Sequence, residues 1–411
     1  MMFRNRDFPI LAVCVAASAG ATPLIAQERH EWGARNSDHA PLYDAQFRAP
    51  LVVSEVTPET EVLADDLEHP WAIAALPEDD GFLVTERPGR LRHLASDGTL
   101  SDPVAGVPEV ENRPQRSGGT PQAGLMDVKP GPDFATSRMV YLTYAKPVGD
   151  GQSATAAARG RLSEDMTRLE DVEDIWVQEP ASSVRMHYGS RIVFDGAGHA
   201  FVTTGEHFTQ DERELAQDLD TGHGKVIRIE LDGDIPDTNP FAGQDDARDA
   251  IWSYGHRNVQ GAAMIGEQLW VVEHGPAGGD ELNLVLPARN YGWPEVSYGV
   301  QYSGGAVGSG EPRQPGFEEP IYFWDPVIAP GDMTVHAGAQ FENWNGDLLI
   351  AGLVASGIVR LALNGPMVTE EERILTDFGR VRDIEMLADG SFVFATDYAD
   401  GRIVRVTERD G

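Results

Sequence analysis

The chain has 411 residues, 41% of them hydrophobic and 8% aromatic, which suits a large globular protein and excludes a disordered one. With 32 basic against 66 acidic residues the formal net charge is −34, a surface that repels nucleic acid and anionic membranes. The acid is spread along the chain, and lysine occurs only as Lys129, Lys146 and Lys225, so arginine carries the positive charge.

At the N-terminus Arg4 and Arg6 precede an apolar run over residues 8–21, and Ala19, Gly20, Ala21 and Ala26 offer small residues for cleavage. This pattern predicts a secretory signal peptide over 1–26, too short for a stable membrane span, and a periplasmic or secreted destination. The single cysteine, Cys14, lies inside that run. The mature chain is therefore expected to hold no disulfide, no thiolate metal site and no attached c-type haem. Residues 27–50 read as an N-terminal extension and 51–411 as one repeat domain.

Beyond residue 50 no window carries a long amphipathic helix. Short apolar runs bounded by Gly, Pro, Asp and Asn dominate, the pattern of strands and turns. Six runs resemble one another: "DGFLVTERPGRLRHL" from Asp80, "SRMVYLTYAKP" from Ser137 and "DGAGHAFVTTGEH" from Asp195. The others are "GEQLWVVEHGPAGGDELNLV" from Gly266, "NGDLLIAGLVASGIVRLAL" from Asn345 and "DGSFVFATDYADGRIVRV" from Asp389. Most share a Gly-containing turn, a strand, a polar excursion and a second strand. Their spacing predicts an all-β fold, a six-bladed β-propeller with four-stranded antiparallel blades, over an irregular sandwich.

Chemistry recurs at one phase of this repeat. His187 lies eight residues before the turn at Asp195, Arg257 nine before Gly266, and Arg380 nine before Asp389. Equivalent positions in a propeller surround the central axis, so these residues are expected to converge on one mouth of the channel, with Gln122 near the same rim. Singly, the histidine reads as well as a structural residue, and the arginines as salt-bridge or turn elements. Together His187, Gln122, Arg257, Asn258, Arg380 and Arg382 suit a planar polyanion gripped by guanidinium groups beside a neutral imidazole base. In "EHGPAGGDELNLV", Gly275 and Pro276 form a turn whose carbonyls could bind a hard cation, with Asp280 and Glu281 nearby. An ordinary Gly/Pro loop stabilised by acidic residues accounts for the same letters.

At these residues the sequence resembles the soluble pyrroloquinoline-quinone (PQQ)-dependent sugar dehydrogenases, the glucose/sorbosone and aldose sugar dehydrogenase family. The resemblance runs from "HPWAIAALPEDDGFLVTERPGRL" at residue 69 to the C-terminus. It is carried by "QAGLMDV", "HYGSRIVF", "IWSYGHRNVQG", "EHGPAGGDELN", "NYGWPEVSYG" and "GRVRDIEM" in that order. It implies a propeller whose wide mouth holds PQQ over a calcium ion. By motif, His187 is implied as the base that takes the proton of the anomeric hydroxyl, Glu206 as the residue that orients it, and Gln122 as a contact to the reactive quinone oxygen. Arg257, Asn258, Arg380 and Arg382 are implied to bind the cofactor, and the carbonyls of Gly275 and Pro276 the calcium. An aldose substrate, a lactone product and an external electron acceptor follow from the same resemblance. One position departs from it: Val354 stands where the family often has a lysine that pairs with a cofactor carboxylate. Two other readings remain open, a non-catalytic carbohydrate- or partner-binding propeller and a calcium-dependent lactonase-type hydrolase, because fold alone does not separate them.

Overall fold

A computed structural model describes residues 33–114, 121–354 and 357–409. The leader expected over 1–26 lies outside them. The chain opens with strand β1 (Pro58–Leu67) and then builds its sheets in order. The first holds β2 (Pro70–Ala75), β3 (Phe82–Glu86) and β4 (Arg90–Leu94). The second holds β5 (Leu125–Pro130), β6 (Met139–Gly149), β7 (Gln152–Leu162) and β8 (Leu169–Val177). The third holds β9 (Ile192–Phe194), β10 (His199–Thr203), β11 (Lys225–Glu230) and β12 (Ile251–Tyr254). The fourth holds β13 (Val259–Ile265), β14 (Gln268–Glu273), β15 (Asp280–Val285) and β16 (Tyr322–Trp324). The fifth holds β17 (Pro330–Val335), β18 (Leu348–Gly352), β19 (Gly357–Asn364) and β20 (Met367–Ile374). The last holds β21 (Val381–Met386), β22 (Phe392–Thr396) and β23 (Gly401–Glu408), completed by β1 paired antiparallel to β23.

This is the expected six-bladed propeller. Five sheets have four strands; the first has three, and beyond the turn at Asp97-Gly98 the chain returns along β4 as an irregular edge, with a Leu94–Leu100 bridge and N–H bonds from Ser101 to the His93 carbonyl and from Val104 to the Leu91 carbonyl, both at 2.8 Å. Each of the six repeated runs contains the second strand of a blade. Both faces of these strands pack against neighbouring blades, so they read as continuous apolar runs and alternate between two interfaces. In β18, Leu348 and Ile350 join the core shared with the fourth blade, while Leu349 and Ala351 join the core shared with the sixth. Burying each such side chain contributes about 1.5–3 kcal/mol. Among the described residues the two α-helices, Phe134–Ser137 and Gln210–Arg213, have four residues each, and no helix is long and apolar enough to cross a membrane.

Before β1 the chain runs along the outside of the ring. The backbone N–H groups of Asn36 and Ser37 donate to the Asp325 carboxylate at 2.8 and 3.0 Å, and Phe47 stacks on Phe323 at 4.7 Å.

At the axis a single guanidinium reaches every blade. Arg191, 1% exposed, lies over Trp71 of the first blade at 4.3 Å and pairs with Asp127 of the second at 3.3 Å. From its own position before β9 it also donates to the Gln260 carbonyl at 2.7 Å and the Gly331 carbonyl at 2.9 Å. It pairs with Asp332 at 3.1 Å and Asp383 at 2.6 Å. Burial alone would lower its pKa, but these carboxylates push it above the ordinary arginine value. The channel is thereby blocked at its waist, and a pocket is left above it.

Candidate active site

The pocket is built by the segments that lead into the innermost strands. Gln122 stands before β5, His187 before β9, Arg257 and Asn258 before β13, and Arg380 before β21, with Arg382 on β21 itself. A cavity of about 470 Å³ is lined by Gln122, Asn258, Arg380 and Arg382, together with Trp71, Arg87, Gln260, His274 and Asp397. His187 and Arg257 stand beside this cavity rather than on its wall, where Tyr188, Gly189 and Asn258 represent their segments.

His187 is held from two sides. Its backbone N–H donates to the Gln122 side-chain carbonyl at 3.0 Å, and its Nδ1 meets Glu206 Oε2 at 2.8 Å. Glu206 is placed by its own N–H, which donates to the Arg257 carbonyl at 3.1 Å. The close approach needs Gly205, since a Cβ there would fall 2.0 Å from the His187 carbonyl oxygen. A carboxylate at Nδ1 selects the tautomer with the proton on Nδ1 and leaves the Nε2 lone pair to accept one. Burial is the largest influence on the His187 pKa and lowers it; Glu206 pulls upward, Arg257 presses downward, and the net shift is down. Burial pushes the Glu206 carboxyl up, but His187 and Arg257 outweigh it and hold it ionised. Near neutral pH the pair is thus a neutral imidazole on a carboxylate, an arrangement suited to general-base catalysis.

Opposite this pair the cavity is short of negative charge. Arg382 donates to Gln260 Oε1 at 2.9 Å and lies over Trp71 at 5.0 Å, while its buried Nε has no partner. Burial, with Arg191, Arg87 and Arg380 nearby and only Asp397 opposing, lowers its pKa to about 9. Arg380 pairs with Asp397 at 2.7 Å, and the same carboxylate meets His69 Nδ1 at 2.8 Å. Burial would raise the Asp397 pKa, but these partners hold it well below the carboxylate range. An orphaned guanidinium nitrogen and three guanidiniums sharing one carboxylate beside an aromatic ring fit a flat polyanion.

Gly275 and Pro276 line a smaller adjoining cavity of about 20 Å³, together with Arg257, Glu273, His274 and Glu281. That volume accommodates one water or ion. Asp280 is committed to structure: it accepts from the N–H groups of Gly275, Ile328 and Ala329 at 2.7, 2.8 and 2.6 Å, and so shapes the Gly275 turn. Glu281 is different. Burial first and Glu273 second push its pKa well above the usual value, a strain that a cation beside it would relieve. Among the described residues no three His, Cys, Asp or Glu side chains form a metal cluster, so a cation here would depend on backbone carbonyls as well as carboxylates.

Sequence reasoning missed Asp397, His69, Arg87 and Trp71. One signal was present. An acidic residue ends the second strand or follows it closely in four blades: Glu86, Glu206, Glu273 and Asp397. Each one ties down the segment leading into its own blade's first strand. Glu86 accepts from Glu68 N–H at 2.7 Å, and Glu273 from Arg257 N–H at 2.7 Å. Glu206 holds His187, and Asp397 holds Arg380.

The fold and this pocket define a class: a propeller with a buried imidazole–carboxylate pair beside an arginine-lined cavity on its axis. Comparison with known proteins supplies the family. The profile of the Glucose / Sorbosone dehydrogenase family matches residues 67–405. The aldose sugar dehydrogenase YliI of Escherichia coli is 40% identical over 373 residues, covering 90% of this chain and 96% of that one. The crystal structure of the soluble aldose sugar dehydrogenase of Escherichia coli in the apo-form superposes with a TM-score of 0.81 at 41% identity, over 86% of this chain and 100% of that one. The PQQ-bound aldose sugar dehydrogenase of Streptomyces coelicolor superposes with a TM-score of 0.68 at 25% identity, over 87% and 100%. The chain belongs to the glucose/sorbosone dehydrogenase family and is an oxidoreductase of the sugar dehydrogenase type.

Proposed function

We propose that this chain is a periplasmic or secreted quinoprotein that oxidises aldoses to lactones with PQQ and calcium. The observation that carries the proposal is the axial cavity itself, where three arginines share one carboxylate, Arg382 Nε is orphaned, and a neutral imidazole–carboxylate pair stands alongside. The PQQ-bound relative and the quinoprotein glucose dehydrogenase B of Acinetobacter calcoaceticus, 25% identical over 437 residues, support the choice of polyanion.

When bound, PQQ supplies a hydride acceptor and calcium a Lewis acid. The chain's own residues do the rest. Arg380 and Arg382 hold carboxylates, and Asn258 and Gln122 bound the cavity between them and His187. Calcium would sit at the Gly275 and Pro276 carbonyls, with the carboxylate of Glu281 at hand. His187 takes the proton of the anomeric hydroxyl on Nε2, and Glu206 stabilises the imidazolium that forms. Electrons leave to an external acceptor, since the mature chain has no haem-attachment cysteine.

The test is to mix purified protein with PQQ and calcium, then supply aldoses with a redox dye. Dye reduction that needs all three, and a lactone product, are expected. Lactone hydrolysis without quinone would point to a hydrolase instead. Failure to bind PQQ or to oxidise any of a broad sugar panel would point to a binding propeller.

A further inference from the structure

Arg87 directly follows Glu86, the last residue of β3, and faces the cavity across from the His187 side of the ring. Its main chain is fixed between two blades: its N–H donates to the His69 carbonyl at 3.1 Å, and its carbonyl accepts from Leu125 N–H at 3.0 Å. The side chain is nonetheless poorly used. It is 8% exposed, and among the described residues it makes one loose ion pair, 3.5 Å to Asp397, with no side-chain hydrogen bond. A guanidinium carries five donors, and because Arg87 lines the cavity an acceptor that enters can reach the donors its one ion pair leaves unmet.

Asp397 meets only part of that demand, at 3.5 Å. Its two oxygens are already engaged more closely by His69 at 2.8 Å and Arg380 at 2.7 Å. The cavity wall therefore presents three guanidiniums, Arg87, Arg380 and Arg382, against one carboxylate, an excess of two positive charges. Val354, 56% exposed, brings no charge next to Leu353 on the same wall. Asp397 is the one ion-pair partner of Arg87 among the described residues; burial is the largest influence on its pKa and, with Arg380, lowers it against the upward pull of Asp397 and Glu68.

We infer that Arg87 is a further ligand-binding residue, a guanidinium that Asp397 keeps aimed into the cavity and that grips a carboxylate of the anionic cofactor. The inference rests on the reading of the pocket as a PQQ site and names a residue within it. Asp397 has the positioning part: it fixes Arg87 and Arg380 on one side of the pocket before the anion arrives.

The experiment is a titration of the cofactor-free protein with PQQ in the presence of calcium, followed by the absorbance change of the quinone. The parent is expected to bind. Arg87→Gln should bind about tenfold to a hundredfold more weakly, the loss expected for a charge-assisted hydrogen bond. Arg87→Lys should fall in between, since it keeps the charge but loses the planar fork. Because Arg87→Gln removes a counter-ion from Asp397, the comparison is repeated in an Asp397→Asn background, where no carboxylate is orphaned. Adding Arg87→Gln there should again weaken binding. Equal affinity with and without Arg87 in either background, in folded protein, overturns the inference alone. A parent that binds no PQQ overturns both this inference and the functional reading on which it rests.

Discussion

Glu206 and His187, nineteen residues apart on the third blade, share a 2.8 Å contact between Oε2 and Nδ1 at the edge of the axial cavity. The carboxylate raises the affinity of the imidazole for a proton while burial lowers it, and burial wins. Glu206→Gln removes the upward pull. The His187 pKa should then fall further, the acidic limb of the pH–kcat/KM profile should move to lower pH, and kcat should drop about tenfold to a hundredfold. A profile that shifts upward, or does not shift, would show that the pair does not act together.

His187→Ala tests the base itself. Turnover should fall by about 10²- to 10⁴-fold, while PQQ affinity changes little, because the imidazole stands beside the cofactor cavity rather than on its wall. Parallel titration and steady-state kinetics separate the two effects. Comparable losses in both would assign His187 to binding.

Arg382 is a case where binding and stability oppose each other. Burial among other cations lowers its pKa to about 9, so its charge is expected to weaken the cofactor-free fold. Arg382→Met should leave the thermal midpoint of that state unchanged or raised, even though Gln260 loses a partner. It should also weaken PQQ binding by at least about tenfold. A lowered midpoint with unchanged affinity would make Arg382 a structural residue.

Burial of three histidines is expected to weaken the fold towards acid, against an opposite but smaller effect of the carboxyls Asp280, raised by burial to about 7, and Glu281. Burial is the main cause in each case, lowering His207 to about 4, His223 to about 2 and His274 to about 3. In the unfolded chain they titrate near ~6.5. Between those values unfolding takes up protons, so stability is complete above about 6.5 and declines as pH falls. Each histidine contributes a slope of about 1.4 kcal/mol per pH unit in that window. Urea midpoints at pH 7, 6 and 5 should show the decline, and His223→Gln should flatten it.

Arg191 stands among Asp127, Asp332 and Asp383 with little solvent to share the charge. Arg191→Met should cost about 3–5 kcal/mol in urea unfolding, because it leaves buried carboxylates uncompensated. Adding Asp332→Asn and Asp383→Asn should recover much of that loss. If the single variant is as stable as the parent, the hub is not what holds the blades at the axis.

The strands were legible because Gly-centred turns and two-sided apolar runs repeat six times, as in "DGSFVFATDYADG" and "NGDLLIAG". In the first blade the outer edge after Asp97-Gly98 keeps to β4 through Leu100, Ser101 and Val104 but is too irregular to form a continuous strand. The shared repeat phase drew attention to His187, Arg257 and Arg380. It did not reveal His69 and Asp397, 328 residues apart, whose pairing exists only once the ring has joined the first and last blades. Nothing in "TERPGR" sets Arg87 apart, since a donor's lack of acceptors is visible only in three dimensions.

The pairing of Pro58 through Leu67 with Glu408 through Gly401 gives the molecule a seam. A fragment lacking the N-terminal strand would keep a long unprotected edge on β23, able to accept a strand from another chain. Such fragments should self-associate before they unfold, so the earliest sign of damage at this terminus would be an increase in mass.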